Sequence, residues 1–120
     1  MDNKILMNKN VLEDIVSVIR SGISQAELLD KLSDYHANDI AQSLEFLTKE
    51  ERISLYEMLG PKLVSEIISY IEEPEEYIEE LGVKNLSAVI NEMDSDDASD
   101  LLKKVDDDVK EKLRPFLDED

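Results

Sequence analysis

The stretch "LEFLTKEERISLYEMLGPKLVSEIISYI", Leu44 to Ile71, decides the fold, because Leu47, Leu59 and Ile71 stand 12 residues apart. Three positions before each of them lies a second apolar residue: Leu44, Tyr56 and Ile68. Residues at i and i+3 share one face of a helix, so each unit reads as one short helix with an apolar stripe. Thr48 followed three residues later by Glu51 makes a capping box, which satisfies the free amides of a helix start. Gly60-Pro61 closes one unit and opens the next, since glycine ends helices and proline is tolerated in a first turn.

The spacing continues through Leu81, Met93, Val105 and Leu117, so that five of six steps are 12 residues; the exception, Ile71 to Leu81, is 10 and contains Pro74. Ile78, Ile90 and Leu102 keep the preceding apolar position, and Arg114 breaks it. Gly82 is placed to end a helix after Leu81, and Asp107 or Asp108 to cap the last unit. Each unit holds about eight or nine helical residues, roughly 12 to 14 Å of helix, too short to stand alone. The units must therefore stack as helix pairs of about 24 residues around a continuous Leu/Ile/Val core. A single coiled coil is excluded: 12 is not a heptad multiple, and Gly60, Pro61, Pro74 and Gly82 would fall inside it. The expected fold is all-α, a superhelical, armadillo-like solenoid of about eight or nine short helices.

Upstream, Val11, Leu12, Ile15, Val16, Val18 and Ile19 repeat at helical spacing before Gly22, which predicts an N-terminal helix within residues 1–22 that ends near Ser21. Ser24 and Glu27 form another capping box, opening the helical-repeat part, residues 23–120, of one structural domain.

Composition narrows the function. Thirty acidic against 13 basic residues give a formal charge of −17, which repels nucleic acid and anionic lipid and leaves cations and basic surfaces as charged partners. The absence of cysteine removes disulfides and thiolate chemistry. Apolar runs are a few residues long, far short of the roughly 20 that span a bilayer. The opening "MDNKILMNKN" lacks the features of a secretory signal, so a soluble, cytoplasmic chain is expected. His36 is the single histidine and no nucleophile elbow or phosphate-binding glycine loop occurs, so no enzyme is expected. His36 reads as a turn or capping residue before a helix that begins near Asn38.

Two acidic clusters remain. "EEPEEYIEE", Glu72 to Glu80, carries six glutamates and no basic residue, and reads as mostly solvated. "DSDDASD", Asp94 to Asp100, holds four aspartates; in a helix starting near Ser95, Asp96 and Asp100 share a face and Asp97 points elsewhere. Two readings stand side by side. Aspartates suit a helix N-terminus, and Lys103 or Lys104 could pair with Asp100. Equally, two carboxylates at i and i+4 repel unless a cation joins them, and magnesium accepts one or two carboxylates while keeping several waters. An EF-hand is excluded, because no glycine stands at its sixth position and Val105 stands where the closing glutamate belongs.

The run "YHANDIAQSLEFLTKEERISLYEMLGPKLVSEIISYIEE", followed by "LSAVINEMDSDDASDLLKKVDDDVKEKL", resembles the cytoplasmic N-terminal domain of the MgtE family of magnesium transporters and channels over about residues 26–117. The order of motifs carries it: His36 and Asp39, then Glu50-Glu51-Arg52, then Asp96, Asp97 and Asp100. Family members usually have His-Pro where this chain has His36-Ala37. The resemblance implies a right-handed superhelix joined to CBS domains and a transmembrane pore, in a full-length protein that is a homodimer with this domain on the cytoplasmic side of the cell membrane. It implies that Mg2+ held between this domain and the CBS domains keeps the pore shut. The metal ligands it implies are Asp96, Asp100 and Glu66. The alternative from a different class is a protein-interaction scaffold, similar to the flagellar switch protein FliG, without metal sensing.

Overall fold

The computed structural model describes residues 2–117, with side chains from Val11 onward. The elements are α1 (Asp2–Arg20), α2 (Gln25–Leu32), α3 (Ala37–Ser43), α4 (Lys49–Leu59), α5 (Pro61–Ile68), α6 (Glu75–Asn91), α7 (Ser95–Lys103) and α8 (Asp107–Leu113). Short 3₁₀ turns, Leu44–Phe46 and Arg114–Phe116, follow α3 and α8. No strand occurs among the described residues, and none of their helices is long and apolar enough to cross a membrane.

The 12-residue spacing has a backbone cause. The residue after anchors Leu47, Leu59, Leu81, Met93 and Val105 leaves the helical region and becomes extended, with ψ of 163° at Thr48, 164° at Gly60, 163° at Gly82, 157° at Asp94 and 149° at Asp106. Ser24 and His36, at 12-residue spacing upstream, are extended too, at 163° and 145°. One extended residue turns the chain and starts the next helix, as an N-cap position does. Where the anchor pair closes the helix, the turn tightens to an i to i−3 bond. The amides of Leu47, Ile71, Met93 and Val105 donate to the carbonyls of Leu44, Ile68, Ile90 and Leu102 at 3.1, 2.9, 3.0 and 3.2 Å. Gly60 and Gly82 do the turning differently, at φ of 85° and 81°, a region essentially open only to glycine. At Gly82 the backbone is non-helical, so the range Glu75–Asn91 holds two helical segments that meet at this residue, as expected of a glycine placed after Leu81.

The N-cap position of the last helix is Asp106 rather than Asp107 or Asp108, because the extended residue follows anchor Val105 immediately and Asp107 is already helical, and the Asp106 side chain makes no capping bond. His36 is the N-cap of α3: its Nδ1 accepts the Asn38 amide at 3.0 Å, and its ring meets the edge of Tyr70 at 5.3 Å. Both capping boxes form, Ser24 with Glu27 and Thr48 with Glu51.

Packing runs between elements two apart as well as between neighbours: α1 on α3, α3 on α5, α2 on α4, α4 on α6 and α6 on α8. The core is the expected aliphatic one, with Ile15, Leu28, Leu44, Leu55, Ile68, Leu86, Val89 and Leu113 all buried. Ile15 brings α1 into that core. The result is a plate of 44 × 35 × 23 Å.

Candidate functional site

α7 begins at Asp94, whose carbonyl accepts the Ala98 amide at 2.8 Å while its side chain makes no capping bond. The helix therefore starts with three exposed carboxylates, Asp96, Asp97 and Asp100. Asp96 and Asp97 lie in the first turn, where the helix dipole favours negative charge. None of the three has a basic partner within 4.0 Å among the described residues. Lys104 lines the same groove as Asp97 and Asp100, but its Nζ donates to the Glu72 carbonyl at 2.6 Å rather than pairing with either of them. The pairing of Asp100 with Lys103 or Lys104 that the sequence allowed is not formed.

Asp100 lines a shallow groove of about 120 Å³ together with Ile68, Ser69, Pro74, Met93 and Leu101. Asp97 lines it too, and Asp96 does not. This corrects the expectation that Asp97 points elsewhere: residues at i and i+3 are helix neighbours as much as those at i and i+4, and the side of α7 against the Ile68–Ser69 turn selects the i+3 pair.

Glu66 is exposed on α5 and lines a different, apolar groove of about 290 Å³ with Leu29, Leu32, Leu63 and Ile67. Its turn abuts the first groove through Ser69, whose Oγ donates to the Glu66 carbonyl at 2.7 Å. Glu66 and Asp100 thus line different grooves. Among the described residues, no three Asp, Glu, His or Cys side chains converge closely enough to hold a metal ion. Any ion held by Asp96, Asp100 or Glu66 would need water or another surface for its remaining ligands, a manner of binding that suits magnesium better than calcium.

A second charged constellation, which the sequence did not reveal, is buried. Arg52 on α4 is 7% exposed. Its Nη1 donates to the carbonyls of Leu44 and Leu47 at 3.2 and 2.7 Å. Its Nε meets both carboxylate oxygens of Glu80 at 2.9 and 3.1 Å, and Nη2 also bonds Glu80. Tyr56 donates its hydroxyl to Glu80 at 2.9 Å, the Tyr77 ring lies 5.2 Å from the Arg52 guanidinium carbon, and Glu76 approaches at 3.7 Å. Burial pushes the Glu80 carboxyl up, but hydrogen bonds from Arg52 and Tyr56 outweigh it and hold the group below its usual range. Burial, with the bond to Glu80, raises the Tyr56 phenol, and the same carboxylate raises Arg52. Every buried side-chain nitrogen and oxygen among the described residues has a hydrogen-bond partner. Glu80 belongs to a run of six glutamates that holds no basic residue; its base lies 28 residues earlier.

A smaller pair ties α1 down. Arg20 donates to both oxygens of Glu51 at 2.8 and 3.0 Å and to the Phe46 carbonyl at 3.1 Å. Led by the Arg20 hydrogen bond and helped by the Thr48 amide, the Glu51 carboxyl is lowered to about 2.

Comparison with known proteins adds to this geometry. The model of the family described as the MgtE intracellular N domain matches residues 35–120. A solved structure, "Crystal structure of the soluble part of a magnesium transporter", superposes with a TM-score of 0.79 at 23% identity, over 92% of this chain and 44% of that chain. At that identity the likeness shows the fold, and this chain spans less than half the length of the one it matches. No curated protein matches the chain.

Proposed function

The chain belongs to the family of MgtE intracellular N domains, and on that premise we propose that it is the Mg2+-sensing regulatory domain of a magnesium transporter or channel. Asp96 and Asp100 on α7, with Glu66 on α5, offer carboxylate oxygens to Mg2+ at an interface with CBS domains of the same polypeptide, on the intracellular side of a membrane pore. The full-length protein works as a homodimer.

One observation carries this reading. In a chain of charge −17, three exposed carboxylates crowd the start of one helix with no basic partner within 4.0 Å among the described residues. Such a surface repels a second acidic surface. When Mg2+ is present, the carboxylates of both sides share it, and the compact arrangement is favoured in proportion to its tighter binding of the ion. When Mg2+ falls, repulsion separates the surfaces and the pore is released. Few protein ligands per ion and a largely retained water shell make the binding weak enough to follow the cellular concentration.

The test is limited proteolysis of the full-length polypeptide with and without Mg2+. Added Mg2+ should protect the parent, and protection should require a higher Mg2+ concentration in Glu66→Gln and disappear in the Asp96→Asn/Asp100→Asn double variant. Equal protection of parent and double variant would remove these residues from the sensor.

A further inference from the structure

We propose that Arg52 and Glu80 are positioning residues for the cation-binding face, setting where α7 stands relative to α5. The inference rests on the reading of Glu66, Asp96 and Asp100 as that face.

The repeat itself does not set this relation. Up to Gly60 and from Gly82 onward, each unit is joined to the next by one extended residue at a 12-residue interval. Between them the register breaks. The anchors Ile71 and Leu81 are 10 residues apart, and the N-cap of α6, Pro74, has a ψ of 9° rather than an extended value. Glu66 lies before this break, and Asp96 and Asp100 lie after it.

Two sets of side-chain bonds span the break. From the early side, the Arg52 guanidinium takes the carbonyls of Leu44 and Leu47 with one nitrogen and the Glu80 carboxylate with the other two. This keys the first turns of α6 onto α4 and the 3₁₀ turn before it. From the late side, Lys104 at the end of α7 donates to the Glu72 carbonyl inside the break. α5 packs on α6 and α6 on α7, so α6 joins the two, and Glu80 fixes the orientation of its first half two residues before the backbone turns at Gly82. A planar guanidinium with donors on three nitrogens holds that orientation by geometry, which a lysine ammonium at the same place cannot do.

The chain has no cysteine, so pairs of introduced cysteines accept spin labels without a background. One pair, Lys62→Cys with Lys103→Cys, reports α5 against α7; the control, Lys31→Cys with Ser54→Cys, reports α2 against α4. All four positions are exposed. Arg52→Lys and Glu80→Gln should shift or broaden the α5–α7 distance beyond the parent's distribution and leave the control distance unchanged, in protein whose helical circular dichroism matches the parent. Should Arg52→Lys fail to fold, Glu80→Gln, which keeps the side-chain shape but puts an NH2 donor where one oxygen accepts from Arg52 and Tyr56, decides alone. In the full-length polypeptide the same variants should raise the Mg2+ concentration needed for protection. An unmoved α5–α7 distance overturns the proposal, as does a moved distance with protection at the parent's concentration. Absence of Mg2+ protection in the parent overturns the sensing reading instead, and the distance measurement is independent of it.

Discussion

Glu80 and Asp100 are both carboxylates in acidic runs of this sequence, yet one is closed inside the fold and the other is open. Glu80 receives the Arg52 guanidinium and the Tyr56 hydroxyl, and its side chain is 4% exposed. Asp100 stands at a groove edge with Asp97 and meets no base within 4.0 Å among the described residues. Burial makes the difference. A carboxylate removed from water must be paired and hydrogen-bonded, whereas one left in water keeps its hydration and remains available to an outside cation. Acidic composition alone therefore says little about a carboxylate's role; its surroundings decide.

The most severe way to break this contrast is Arg52→Ala. Removing one partner of a buried pair leaves Glu80 without a counter-charge, and unfolding by urea should show a loss of about 3 to 5 kcal/mol. A loss below about 1 kcal/mol would mean that the pair behaves like an exposed one.

Acid should separate the regions next. Glu51 and Glu80 have folded pKa values below the ordinary 4.5, Glu51 at about 2. A carboxyl lowered on folding contributes stability that is fully present above its unfolded pKa and is lost as pH falls through the folded one. Circular dichroism at fixed urea should therefore show stability falling below pH 4.5, for the Glu51 share down to about 2. Glu80→Gln should flatten that fall, and an equally steep curve in the variant would place the acid sensitivity elsewhere.

The smallest expected effect sharpens the open side. Asp96→Asn with Asp100→Asn should change stability by no more than about 0.5 kcal/mol, since both side chains are exposed and unpaired in the described structure. A loss above about 1 kcal/mol in urea would give these aspartates a structural part.

The repeat was legible in the sequence because its causes are local. Apolar pairs at i and i+3, serine and threonine capping boxes, and glycines at two turns act within one helix length, and each formed where the residues indicated. The cap of the last helix was misplaced by one or two residues, because Asp106, Asp107 and Asp108 are chemically alike and only the extended backbone at Asp106 tells them apart. The face of α7 was half legible: helical spacing limits which aspartates can be neighbours, but i+3 and i+4 neighbours compete. Spacing makes Asp100 a neighbour of both Asp96 and Asp97, and only the packing of α7 shows that the groove beside Ile68 and Ser69 takes Asp97.

What the sequence by itself determined is the all-helical repeat, its interruption around Pro74 and the position of its acids, since periodicity and capping are properties of neighbouring residues. What only the tertiary structure decided is which charges meet. Arg52 finds Glu80 across 28 residues, and Lys104 reaches the Glu72 carbonyl across 32. Those meetings depend on how successive units stack, and no local rule fixes the stacking where the repeat loses two residues.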